Sequence, residues 1–170
     1  MADLVKQILI WLHYEWDVDV ADRPVLIHGD DAAIYSATNV GDATVGDPVG
    51  VAEDHRTVDF DLTRGNVVTV SSSSSSNDPV VGGDGTAYHE EPLLSIDLEG
   101  VHEDEWGHVA NSTELRRLKD EIKHILDNHR SHPLPGEGLR ALVIDRDENL
   151  SSNFADYYHW TFDLRFVGTR

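Results

Sequence analysis

One segment near the C-terminus constrains this chain more than any other feature. From Tyr157 to Val167, apolar and polar residues alternate without a break. Tyr158, Trp160, Phe162, Leu164 and Phe166 fall on one side, and Tyr157, His159, Thr161, Asp163 and Arg165 on the other. A two-residue period is that of a pleated strand with one face in a core and the other in water. Leu93–Glu99 repeats the pattern, with Leu94, Ile96 and Leu98 set against Ser95, Asp97 and Glu99. Such strands need an apolar cover, and two segments have the helical period to provide it. In 3–16, Leu4, Ile8, Leu12 and Trp16 recur at four-residue steps, with Val5 and Leu9 beside them and Asp3 as N-cap. In 112–130, Leu115, Leu118, Ile122, Ile125 and Leu126 form the stripe. Asn111 with Glu114 three residues on makes a capping-box-like start.

Shorter signals complete the expectation. Pro24–His28 predicts a strand ended by a Gly29-Asp30-Asp31 turn, and 32–37 predicts a second strand. Thr57–Thr63 alternates, Arg64-Gly65-Asn66 turns and Val67–Val70 returns, which predicts a β-hairpin over 57–71. Leu139–Asp145 is apolar on both faces, the mark of a central strand. Pro133, Pro135, Gly136 and Gly138 predict a loop over 131–138, and Asp147–Asn153 reads as another. Residues 38–56 are rich in Gly and Asp, and 71–89 open on six serines, Ser71–Ser76. Both read as extended loops or arms. The expected fold is one α+β domain over 1–170: a mostly antiparallel sheet, two helices packed on one face, and a protruding hairpin or loop arm.

Charge narrows function. Thirty-two acids face 13 Lys and Arg among 170 residues, a net charge of −19. So little positive charge argues against binding nucleic acid through its phosphates. Asp outnumbers Glu by 21 to 11, and only three lysines occur, Lys6, Lys119 and Lys123. This acid-rich, lysine-poor composition resembles that of proteins from extreme halophiles. Molar salt shortens the screening length to about 3 Å, relieving the self-repulsion of such a chain. Cysteine is absent, which excludes a disulfide scaffold, thiol catalysis and a Cys-ligated metal. The apolar N-terminal segment Leu4–Trp16 is interrupted by Lys6, Gln7, His13 and Glu15, and predicts neither a secretory signal nor a membrane span.

No catalytic motif stands out. There is no G-x-S-x-G, no phosphate-binding loop and no dinucleotide fingerprint. His124 and His129 lie five residues apart and so off a common helix face; His132 follows them, and His102 and His108 flank an acidic run. Solvated histidines account for these more simply than a metal site. The pairs Asp59/Asp61 and Asp145/Asp147 are what 32 acids give by chance. No catalytic residue, metal or cofactor is expected, and the chain does not read as an enzyme. The helix 112–130 is the exception to the acidic surface: it carries Arg116, Arg117, Lys119, Lys123 and Arg130. These could pair locally with Asp120, Glu121 and Asp127. Alternatively, they form a basic face that meets an acidic face of a neighbouring copy.

The second half resembles a family. The alternating strand Leu93–Glu99, the Arg-rich amphipathic helix, the short strand Ala141–Asp145 and the closing aromatic strand Asp156–Arg170 are similar to the tail terminator (tail-completion) proteins of long-tailed viruses. With the halophile-like composition, the virus would infect a haloarchaeon. The resemblance implies a homo-oligomeric ring, a hexamer, assembled in the host cytoplasm and residing at the tail and neck of the virion. Its partners would be the tail tube protein and the neck or adaptor proteins. DNA would cross its lumen without sequence-specific binding, and no membrane would be involved. The helix residues Arg116, Arg117, Lys119, Lys123 and Arg130 are then the expected subunit interface. Ser73, Ser74, Asn77 and Asp78 are the expected contacts to tube or neck. Competing readings are a head–tail adaptor or stopper, an acidic DNA-mimic inhibitor and a metal-dependent enzyme.

Overall fold

A computed structural model describes residues 3–21, 23–30, 33–36, 50–51, 66–79, 88–101, 112–150 and 157–169. In chain order the elements are α1 (Leu4–Glu15), β1 (Val25–His28), β2 (Ala33–Ser36), β3 (Gly50–Val51), β4 (Val67–Pro79), β5 (Tyr88–Val101), α2 (Ser112–Asn128), β6 (Ser131–Leu134), a 3-10 turn at Pro135–Glu137, β7 (Leu139–Asn149) and β8 (Tyr157–Thr169). Among the described residues the strands form one sheet in the order β3-β2-β1-β4-β5-β8-β7-β6. The fold is α+β, and the sheet is mixed. β1 runs parallel to β4, while every other described pairing is antiparallel.

The two alternating segments are neighbours in the sheet. Ile96 stands opposite Phe162, Leu98 opposite Trp160 and Leu94 opposite Leu164, so the apolar sets of β5 and β8 share one face. Val68 and Val70 of β4 and Leu26 of β1 extend that face. Both helices cover it: Ile8, Leu9 and Leu12 of α1 and Leu118, Ile122 and Ile125 of α2 are buried with Phe162, Leu164 and Phe166 in one cluster. Each such side chain taken from water contributes about 1.5–3 kcal/mol, which makes this face the main source of stability.

Polar contacts fix the helices in place. The Asp3 carboxylate accepts the Lys6 N–H at 3.0 Å, capping α1, and its other oxygen lies 2.8 Å from Nε2 of the buried His28 at the end of β1. Trp11 stacks on His129 with ring centroids 4.0 Å apart, and His129 also pairs with Glu15. The Asp17 N–H donates to Glu121 of α2 at 3.0 Å.

Several expectations are corrected. Val67–Val70 does not return from a 57–63 strand. One edge is taken by Val25–His28 and the other by Ile96–Glu99, leaving no ladder edge for the predicted partner. Residues 57–65 themselves lie outside the described residues, as do most of 38–56. Ser71–Ser76 is not a loop: it continues β4 opposite β5, with a bulge at Ser73. Residues 80–87 lie outside the described residues. The 131–138 stretch holds β6, whose irregular register contains His132 at φ 53° and a buried Pro133. β7 is longer than predicted, taking in Asp147–Asn149, and lies next to the sheet's last strand rather than at its centre.

Candidate functional site

At 3.6 residues per turn, Arg116, Lys119 and Lys123 share one stripe of α2, and Arg117 sits about 100° away from Arg116. Arg130 lies two residues beyond the helix end at Asn128. The stripe flanks the apolar one: Arg116 lies farthest from the core, and Lys123 and Lys119 lean toward β7 and β8. Its members differ in freedom. Arg116 is exposed. The Lys119 ammonium is 2.6 Å from Asp120 and 4.9 Å above the Trp160 ring, and its side chain is only 16% exposed. Lys123 approaches Asp147 at 4.0 Å, and Asp147 is held by the Trp160 indole N–H at 2.6 Å. Arg130 pairs with Asp127 at 2.8 Å. Glu121, expected as a surface ion-pair partner, is instead buried and accepts the Asp17 N–H.

The loop residues named from sequence lie elsewhere. Ser73 sits at the bulge with its hydroxyl 2.9 Å from that of Ser95. Ser74, Asn77 and Asp78 are rungs of the ladder opposite Leu93, Glu90 and His89. The helix set and the serine set are thus not brought together. α2 covers the apolar face, and the Ser73–Ser95 pair belongs to the other.

That other face carries a charged network that the sequence did not single out. The Ser95 hydroxyl donates to Asp163 at 3.2 Å, and Arg146 approaches Asp163 at 3.8 Å and Glu148 at 2.6 Å. Arg165 holds Asp145 through two nitrogens, at 3.0 and 3.1 Å, and approaches Glu91 at 3.5 Å. His159 lies 2.8 Å from Asp97 and stands directly opposite Glu99. Burial alone would lower the His159 pKa. The Asp97 hydrogen bond and the Glu99 and Asp97 charges outweigh that and hold it above 6.5. For Asp3, burial pushes the carboxyl up, but the Lys6 N–H and His28 prevail and keep it below 3.8. The alternation predicted a polar face here, but the partners depend on strand register, which only long-range pairing sets.

His124 and His132 are exposed, and His129 is held between Trp11 and Glu15. His102 and His108 lie outside the described residues. Among the described residues, no three His, Asp or Glu side chains converge to hold a metal ion, and no helix is long and apolar enough to cross a membrane. What this surface can do is present charge in a fixed pattern: a basic stripe on one side of the molecule and an acid-rich ladder on the other. No protein-family model and no curated protein matches the chain.

Proposed function

We propose that this chain is a structural virion protein, a tail terminator that forms a six-membered ring on the end of the tail tube and joins it to the neck of a haloarchaeal tailed virus. The observation that carries the reading is the element order. A first helix and three short strands are followed by a long antiparallel strand pair, a second amphipathic helix, the short strand β6 and a closing strand pair, with both helices on one sheet face. This is the organisation expected of terminator subunits. β1 accompanies β4 only over Val67–Val70, while β5 stays paired with β4 to Tyr88 and with β8 to His89. In this reading the outer edge of β4 beyond Val70 is the part that reaches tube or neck, bringing Ser74, Asn77 and Asp78 to the contact. The net charge of −19 suits a lumen that repels passing DNA.

Immunogold labelling of virions in molar salt, with antibody against this chain, tests the proposal. Gold at the junction of head and tail is expected. Label on headless tails marks a terminator, whereas label on tailless heads marks an adaptor. Unlabelled virions from cells rich in the protein would overturn both.

A further inference from the structure

We infer that the ring interface is formed by α2 of one copy lying across the polar face of β5, β8 and β7 of the next. The inference rests on the ring reading above and names the two surfaces that meet. The observation is a match of charge and spacing on opposite sides of one molecule. Arg116 and Lys123 are seven residues apart on the exposed flank of α2, a rise of about 10.5 Å. On the polar face, Asp97 and Glu148 stand in one row on either side of Thr161. They are separated by two strand spacings, about 9.6 Å. Asp163 stands one row further along β8, opposite Ser95 and Arg146. A helix crossing the strands along that row brings each cation to a carboxylate.

The acceptor face has charge to give. Glu91, Asp97, Asp145, Glu148 and Asp163 face two arginines, Arg146 and Arg165, and one histidine, His159, while Glu99 is buried beside His159. The side chains of Glu148 and Asp163 remain 51% and 42% exposed, and that of Lys123 44%. Lys119 is withdrawn from the interface by Trp160, and Arg117 points off the stripe. The donor stripe and the acceptor ladder lie on opposite sides of the sheet, so neither can bind its own copy's counterpart. Two different complementary surfaces on opposite sides make a head-to-tail contact, which closes into a ring when the rotation between neighbours closes and runs on as a filament when it does not.

Charge reversal on each side separately tests this, read as self-association by light scattering over a KCl series from about 0.2 M upward, because salt screens exposed pairs. At the low-salt end Arg116→Glu/Lys123→Glu alone, and Glu148→Lys/Asp163→Lys alone, are each expected to weaken association ~100-fold, two reversed contacts at about tenfold each. An equimolar mixture should restore it, because each variant then offers what the other lacks; restoration also shows that both variants fold. The chain has no native cysteine, so Arg116→Cys/Glu148→Cys should give a covalent ladder beyond the dimer on oxidation. Variants that associate like the parent would overturn the inference, as would a parent that stays monomeric to millimolar concentration. Either result leaves gold labelling at the junction as a separate test of the ring reading.

Discussion

The two faces of the central strands are built from alternate residues of the same segments, yet they do different work. On β5 and β8, the even-numbered residues Leu94, Ile96, Leu98, Phe162, Leu164 and Phe166 are buried under two helices. The odd-numbered residues between them, Ser95, Asp97, Asp163 and Arg165, hold one another by hydrogen bonds and ion pairs at or near the surface. Apolar burial is non-directional and additive over area, so the first face supplies stability. Exposed ion pairs are worth little in stability and are screened by salt. What they provide is a fixed geometry of charge, which in the proposed ring serves recognition. In that reading one strand carries the fold on one side and partner choice on the other.

Four substitutions sharpen or break that division, from the largest effect to the smallest. Phe162→Ala on the covered face should cost ~3–5 kcal/mol in denaturant unfolding, through lost burial and the cavity left behind. Asp3→Ala removes the cap of α1 and the partner of buried His28, and should cost about 1–2 kcal/mol in the same measurement. On the polar face the effects turn on pH. Because folding raises the His159 pKa above 6.5, the stability His159 adds is full below 6.5 and is lost as pH rises through the folded value. The parent should therefore lose more stability than His159→Gln between about pH 6 and pH 8, with melting temperature as the readout. Equal slopes would mean that the Asp97 and Glu99 carboxylates do not hold the imidazolium. Arg165→Lys, which gives up the two-nitrogen grip on Asp145, should leave the urea midpoint within scatter. A large shift there would show that the polar face is structural after all.

What could be read in the sequence was local. The stripe of Leu115, Leu118, Ile122, Ile125 and Leu126 gave α2 to within two residues of its observed end. The alternation of Leu93–Glu99 and Tyr157–Val167 gave two strands and their buried faces, but not that they pair with each other. The parallel pairing of Val25–His28 with Val67–Val70 joins segments about forty residues apart and has no local signal. It is also what displaces the predicted hairpin, since Val67–Val70 cannot serve three neighbours. β6 was hidden because proline reads as a breaker, yet a proline is tolerated on an outermost strand, where one side of the backbone has no ladder partner. The basic stripe could be picked out as a run of residue types. Its match to the row Asp97, Thr161 and Glu148 could not, because that row exists only once β5, β8 and β7 are in register.

Ser73 carries a consequence for how this chain can vary. At its bulge two residues of β4 share one position of the ladder, and the inward–outward phase of the strand resets. Ordinarily a one-residue slip turns every apolar side chain to the wrong face, and register is policed by that penalty. Within Ser71–Ser76 a slip exchanges serine for serine. A lost serine closes the bulge and an added one enlarges it, with Val67–Val70 still paired to β1 and Asn77–Pro79 still opposite Tyr88–Glu90. The homopolymer is an expansion joint, and repeat-length variants of this gene should encode the same sheet.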